Sequence, residues 1–366
     1  MKRKRITPWP GREFKDNSFI RTFYGALVEA GFDVDPVPSN PLKGIPTKSH
    51  IFVMHWPERL FWARKNRLIS PFQSFIDLII FYSKLKSFVR RNGKLVWVVN
   101  NLKPHGMNWL EGVRWKVLLK IILSNCSLCL SLSKDTCLVV KNELGAVANS
   151  EVIFDWVEHP AYLEFTYSED IARKRRFFYG ISDTDIVCCI TGHLKPYKGL
   201  EQFVEQFVEQ FSHLTALTNR RIYLQIAGRP VSTSYLKKLK RVAQDRPNVL
   251  IKGQRVDDQE LNSILAASDF FIFNSIDYLH SGSIMAALSA GLIVVANLTP
   301  FTKSLQDSLG PNYIITFEQF YEGISNGNLT NINPLERTQR SRYVQARFSH
   351  HGLSIQLKER LSRFDG

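Results

Sequence analysis

The stretch Asp185-Ile186-Val187-Cys188-Cys189-Ile190-Thr191-Gly192-His193-Leu194-Lys195-Pro196-Tyr197-Lys198-Gly199-Leu200 decides how this chain is built. Its first six residues form a short, largely β-branched apolar run closed by a glycine, the pattern of a fully buried strand. Leu200, Phe203, Phe207 and Phe211 then recur at helical spacing. Between strand and helix lies a loop with Gly192, Lys195 and Lys198, and a cation at the end of a buried strand faces an anion. About 85 residues further on, Ser281-Gly282-Ser283 opens the helical pattern Ile284 to Ala290. Small residues at a helix start leave backbone N–H groups free for an anion. Two such sites on strand ends point to one shared ligand carrying a diphosphate.

Outward from this stretch, strand and helix alternate in both halves. Strands are predicted at Ser49 to Met54, Lys94 to Val99, Leu128 to Ser133 and Glu151 to Phe154, with a helix from Ser18 to Ala30. In the second half they are predicted at Asp185 to Ile190, Ile222 to Ala227, Val249 to Lys252, Phe270 to Phe273, Leu292 to Ala296 and Tyr313 to Ile315. This βαβ order predicts an α/β protein of two Rossmann-like, doubly wound parallel domains, with the ligand cleft between them at the carboxyl ends of the strands. The junction is expected between Pro160 and Asp183, where Arg173-Lys174-Arg175-Arg176 interrupts the pattern. The expected domains are 1–165, 166–340 and a pair of helices in 341–366.

With 366 residues and 44% apolar content the chain can bury two cores and is not disordered. Met1 to Arg5 is basic, but Thr7-Pro8-Trp9-Pro10-Gly11 stands where a leader's apolar region should follow. The apolar runs Phe75 to Tyr82 and Val117 to Leu123 are too short to span a bilayer, so a cytoplasmic protein is expected. The five cysteines, Cys126-x-x-Cys129 among them, have neither a second pair nor a histidine cluster and read as core residues.

The net charge of +15 is uneven: residues 1–180 hold 28 basic and 16 acidic residues, residues 181–366 hold 20 and 17. From Arg59 to Lys134 fourteen basic residues face only Asp77 and Glu111. Within that segment Leu78, Phe81, Tyr82, Leu85, Phe88 and Val89, then Trp115, Leu118, Leu119 and Ile122, recur at helical spacing among lysines and arginines. Such helices either pack on a sheet with a solvated basic face or lie on an anionic membrane surface. No nucleic-acid module is visible and the aromatics do not interleave with the charge, so nucleic acid is not expected as a partner.

The second half resembles the nucleotide-sugar domain of GT-B glycosyltransferases. Gly192 and Lys198-Gly199 carry this, followed by Ile226-Ala227-Gly228, Lys252-Gly253-Gln254, Asp257 to Leu261, Ala267-Ser268-Asp269 and Ser281 to Gly291, in order over about 115 residues. The first half resembles bacterial exopolysaccharide β-mannosyltransferases, which extend a polyprenyl-diphosphate-linked oligosaccharide from GDP-mannose. His55-Trp56-Pro57-Glu58, Asn101-Leu102-Lys103-Pro104-His105 and His159-Pro160-Ala161-Tyr162 carry that likeness. It implies a GT-B fold with a C-terminal helix returning to the first domain, a nucleotide-sugar co-substrate, GDP-mannose by resemblance, and a lipid-linked glycan acceptor on the inner face of the plasma membrane.

Many retaining GT-B enzymes carry two glutamates eight residues apart at the start of the diphosphate helix. Here Tyr278 and Ala286 occupy those positions, which favours inversion. His193 replaces a frequent basic residue, and Asn100-Asn101 and Gly106 depart from the β-mannosyltransferase pattern. Departure of a nucleoside diphosphate needs its growing charge stabilised. Lys198, Arg229 and the N–H groups behind Ser281, Gly282 and Ser283 could do this without a metal, with Gly192, His193 and Lys195 completing the donor set. Inversion also needs a base for the acceptor hydroxyl; Glu58 is the first candidate, with His105 and His55 beside it. Asp183-Thr184-Asp185 has the D-x-D form of a metal site but precedes its strand, and no metal or cofactor is expected. The alternatives are a retaining GT-B transferase using another sugar, and a non-catalytic membrane- or polyanion-binding protein on the same fold.

Overall fold

The computed structural model describes residues 4–10, 17–35, 45, 50–58, 60, 71–104, 109–244, 246–275, 278–329 and 333–364. The chain divides into two compact units, one formed by Met1–Pro160 with Phe348–Gly366, the other by Ala161–Arg347.

In unit 1 the described order is β1 (Arg5–Trp9), α1 (Ser18–Glu29), β2 (Asp33–Val34), β3 (Ile51–His55), α2 (Pro71–Arg90), β4 (Lys94–Val98), α3 (Trp109–Leu123), β5 (Cys126–Ser131), α4 (Lys134–Leu144) and β6 (Ile153–Trp156). All pairings are parallel, in the sheet order β2-β1-β3-β4-β5-β6. The chain therefore reverses direction across the sheet between β1 and β3, and the crevice at a reversal is where open α/β sheets bind ligands. β1 was not expected from the sequence, because Pro8 and Pro10 read as a break. Pairing with β2 on one side and β3 on the other makes it a strand, and Ile6, Thr7 and Trp9 are buried by it.

In unit 2 the order is α5 (Glu169–Phe178), β7 (Ile186–Thr191), α6 (Leu200–Thr218), β8 (Ile222–Ala227), α7 (Thr233–Val242), β9 (Val249–Lys252), α8 (Asp258–Ala267), β10 (Phe270–Phe273), α9 (Gly282–Ser289), β11 (Ile293–Ala296), α10 (Pro300–Leu309), β12 (Ile314–Ile315), α11 (Phe317–Ser325) and α12 (Pro334–Arg347). The sheet is again parallel, in the order β12-β11-β10-β7-β8-β9. Helices on both faces explain why β7, β10 and β11 are apolar throughout: every one of their residues is buried. Phe203 and Phe207 of α6 and Phe320 of α11 pack with Leu224 and Phe270 of the sheet. The reversal here lies between β7 and β10.

The unit boundaries fall at Pro160/Ala161 and Arg347/Phe348 rather than at 165/166 and 340/341. The reason is that α12 packs on α9, whereas α13 (His350–Ser362) packs on α1 within unit 1. A Cβ on Gly25 of α1 would meet Nε2 of His350 at 2.7 Å, so a larger residue would displace that imidazole. The basic run expected to mark the junction is instead the last part of α5. Arg176 is buried there, bonding Asp269 Oδ2 at 2.8 Å and the Ala267 carbonyl at 3.0 Å. All five cysteines are free and buried. Among the described residues, no helix is long and apolar enough to cross a membrane.

Candidate functional site

In unit 2, β7 ends at Thr191 and the chain turns at Gly192, whose φ of +103° a side-chain-bearing residue rarely adopts. A 3₁₀ turn, Pro196–Lys198, and Gly199 in the left-handed region (φ +62°) then lead into α6. Two neighbours fix this loop. Leu194 N–H donates to the Arg229 carbonyl at 3.0 Å and the Leu194 carbonyl accepts from Val231 N–H at 3.0 Å, stapling the loop to the end of β8. A Cβ on Gly228 would lie 1.7 Å from the Gly192 carbonyl oxygen, so only glycine allows this approach. From β10, Asn274 Nδ2 donates to the Gly199 carbonyl at 3.2 Å, tying the lysine loop to the strand across the reversal.

Lys198 folds back over Gly192, its Nζ 3.6 Å from where a Cβ would stand. Burial, and then the charge of Lys195, push its pKa down from 10.5 to about 8. No carboxylate among the described residues pairs with it. A desolvated ammonium without a counter-ion is costly, and an anion relieves that cost. His193 and Arg229 are exposed on the two stapled loops, while Lys195 is half-buried with its ammonium 5.8 Å from the Tyr197 ring.

The second wall is the start of α9. The Ser281 hydroxyl accepts from Ile284 N–H at 3.3 Å and lies 3.0 Å from the Ser283 hydroxyl, so Ser281 is an N-cap. That cap leaves the Gly282 and Ser283 N–H groups without an acceptor among the described residues, at the positive end of the helix. Sequence reasoning quoted Tyr162 only inside a motif. The structure sets its hydroxyl 3.0 Å from where a Cβ of Gly282 would be, beside those N–H groups. The Tyr162 backbone N–H donates to Ser289 Oγ at 2.9 Å, which fixes the tyrosine to the other end of the same helix. That end is capped by the buried Arg337 of α12, whose guanidinium bonds the Ala290 carbonyl at 3.3 Å and the carbonyls of Leu265, Ala266 and Ser268. Its charge complements the negative ends of α8 and α9.

Tyr278 and Ala286 occupy the positions at which glutamates were looked for. Tyr278 packs edge-on against Phe273, centroids 4.7 Å apart, and its hydroxyl accepts from Thr299 Oγ1 at 3.2 Å. Ala286 is buried. Asp185, the second acid of Asp183-Thr184-Asp185, is buried, accepts from Ser182 N–H at 2.8 Å and pairs with the Arg221 guanidinium at 3.1 Å. Its carboxylate holds the start of β7.

Unit 1 presents different chemistry at its own reversal. His55 ends β3 fully buried, Nδ1 3.3 Å from Asn100 Oδ1, with the rings of Phe23, Phe19, Tyr24 and Trp56 5.1 to 5.7 Å away. Burial pushes its pKa down to about 3. Enclosure of this kind favours the neutral imidazole. His159 is buried likewise, with a pKa of about 4 from burial and its ring 5.1 Å from that of Phe19. Trp56 is held at φ +44°, a strained conformation for a bulky residue, at the turn that carries Glu58. Glu58 is 5% exposed. His105 lies outside the described residues.

Residues 185–312 match the family model described as "Glycosyl transferases group 1". With the two parallel sheets, this match gives the chain the GT-B fold and makes residues 185–312 similar to group 1 glycosyltransferases. No curated protein matches it by sequence. Among solved structures, it is similar to a sucrose-phosphate synthase from Thermosynechococcus elongatus, with a TM-score of 0.65 and 13% identity over 99% of each chain. It is also similar to the Anabaena protein HepE, determined with UDP and glucose, with a TM-score of 0.62 and 15% identity over 99% of this chain and 100% of that one. A glycosyltransferase from Rickettsia africae gives 0.59 and 13% over 100% and 99%. At these identities the likeness establishes the fold.

Proposed function

We propose that the enzyme transfers a hexose from a nucleotide sugar, with inversion, to a glycan acceptor carried on a lipid at the inner membrane face. The observation that carries the donor half is Lys198, a desolvated ammonium with no carboxylate partner among the described residues, at the topological reversal of unit 2. The diphosphate would lie between that ammonium and the Gly282 and Ser283 N–H groups, with Arg229, His193 and Lys195 at its exposed side and the Tyr162 hydroxyl beside it. These groups oppose charge as it grows on the leaving oxygen, so they stabilise the transition state more than the ground state. Tyr278 and Ala286 offer no carboxylate for a double displacement, which supports inversion. Glu58 is the candidate base, because a nearly buried carboxyl can be tuned towards neutral pH.

Resemblance in the first half supports GDP-mannose as donor, and the UDP-glucose bound by HepE makes that sugar nucleotide the competing donor. The lipid-linked acceptor is supported by the basic Arg59 to Lys134 segment. The test is thermal stabilisation of the protein by GDP, UDP and ADP, followed by hydrolysis of the matching sugar nucleotides and assignment of the product anomer. Stabilisation by one diphosphate and turnover of its sugar nucleotide to an inverted product are expected. No stabilisation by any would overturn the donor site, and a retained anomer would overturn inversion.

A further inference from the structure

The sequence left the apolar spacing of α2 and α3 open between packing on a sheet and lying on a membrane. In the structure Leu78, Phe81, Leu85 and Phe88 of α2 and Trp115, Leu118 and Ile122 of α3 are buried as the core face of unit 1, whereas Tyr82 of the same series is exposed. A different set is exposed: Phe75, Ile76, Ile79, Ile80 and Tyr82 on α2 and Val117 on α3, with Ile79 66% accessible. A soluble surface helix carries one apolar stripe, and a second one on the outer face needs another explanation. Between the two helices this face folds into a groove of about 350 Å³, lined by Phe75, Leu78, Ile79, Tyr82, Val117 and Ile121, with Lys120 and Ser124 at its side. That volume is within the range of about 300 to 1,000 Å³ usual for small-molecule sites.

The charge around the groove selects its occupant. Residues 71–124 hold nine lysines and arginines against Asp77 and Glu111. Lys116 and Lys120 are exposed and have no acidic partner among the described residues. Lys86 donates to the Tyr82 hydroxyl at 3.3 Å, so its apolar stem lies along the stripe while its charge reaches the edge. An apolar slot rimmed by unpaired cations suits an amphiphile with a hydrocarbon chain and an anionic head, and repels a basic or fully polar partner.

We propose that the α2–α3 groove is a binding site for an acyl chain of an anionic phospholipid, by which unit 1 seats itself on a bilayer. The lysines engage the lipid phosphates while Phe75 and Ile79 enter the chain region. This gives a site to the lipid-linked acceptor reading of the enzyme and rests on that reading for its purpose, but lipid binding is measured without donor or acceptor.

The full chain is sedimented with vesicles of phosphatidylglycerol and phosphatidylcholine in a one-to-two ratio, and with phosphatidylcholine alone. Binding to the anionic vesicles, weakened about tenfold by Ile79→Ser and by about fivefold for each of Lys116→Gln and Lys120→Gln, is expected. These positions are exposed, and stabilisation of each variant by a nucleoside diphosphate reports an intact unit 2. Ile79→Trp should add fluorescence that lipids brominated on their acyl chains quench. Equal binding to both vesicles, full binding by Ile79→Ser, or no added quenching would overturn the proposal while leaving the donor site standing. So would a dimer in sedimentation equilibrium that Ile79→Ser dissociates, since the groove's occupant would then be a second copy of this chain.

Discussion

At the carboxyl end of β7 stands a buried cation with no carboxylate partner among the described residues, whereas at the carboxyl end of β3 the chain closes an imidazole inside a cage of aromatic rings. Both are reversal points of parallel sheets, and both carry ionisable groups whose pKa burial lowers. The difference is what each group faces. Lys198 sits over Gly192 and near Lys195; His55 sits among Phe19, Phe23, Tyr24 and Trp56, a lining that excludes water. The same topology thus carries a desolvated cation in one unit and an enclosed imidazole in the other. Glu58, the proposed base, lies just beyond the strained Trp56 at the same end of β3.

Glu58→Gln should have the largest effect, a loss of about 10² to 10⁴ in kcat with donor binding unchanged, measured by turnover of the sugar nucleotide found to bind. Unaltered turnover would move the base elsewhere. Lys198→Ala should lower kcat by about 10² to 10³ and abolish stabilisation by the nucleoside diphosphate, because its role is electrostatic. If the two variants instead lost donor binding equally, the division of labour between the units would fail.

The two groups make stability rise with pH in two separate windows. The folded pKa of His55 lies below its ordinary 6.5, so the unfolded chain binds the extra proton. Stability is fully present above pH 6.5 and is lost as pH falls towards 3, and acid titration followed by circular dichroism should show this. Lys198 falls from 10.5 to about 8, so the ligand-free protein gains stability as pH rises from 8 to 10.5. Diphosphate affinity moves the other way, dropping up to about tenfold per unit above pH 8 as the ammonium loses its proton, which calorimetry would read. The smallest effect is expected from Gly199→Ala. It places a Cβ in a left-handed residue 2.9 Å from Asn274 Nδ2, costing roughly 1 to 2 kcal/mol in urea unfolding and loosening the lysine loop.

How much of this was legible beforehand differs between the halves. All six strands of unit 2 were visible as short apolar runs, since a strand covered on both faces has one simple pattern. Lys198 and Ser281-Gly282-Ser283 were readable because glycine and small residues must recur where backbone approaches a phosphate. β1 was not, as its prolines contradict a strand until β2 and β3 pair with it. Nor was the orientation of α2 and α3. Their apolar residues run round more than one face, so spacing alone could not say which face the sheet would cover. Tyr162 escaped as a site residue because it lies about 120 positions from Gly282 in sequence and has no motif of its own beside that helix.

The sequence by itself determined the α/β class, the positions of the donor-half strands along the chain and the lysine loop and helix start at their ends, because these depend on local periodicity and turn chemistry. Only the tertiary structure decided the rest. It buried His55, left Lys198 with no carboxylate partner among the described residues, set Tyr162 beside α9 and chose which apolar stripe of α2 stays in water. Burial, and with it pKa and exposure, belongs to surfaces that meet from distant parts of the chain.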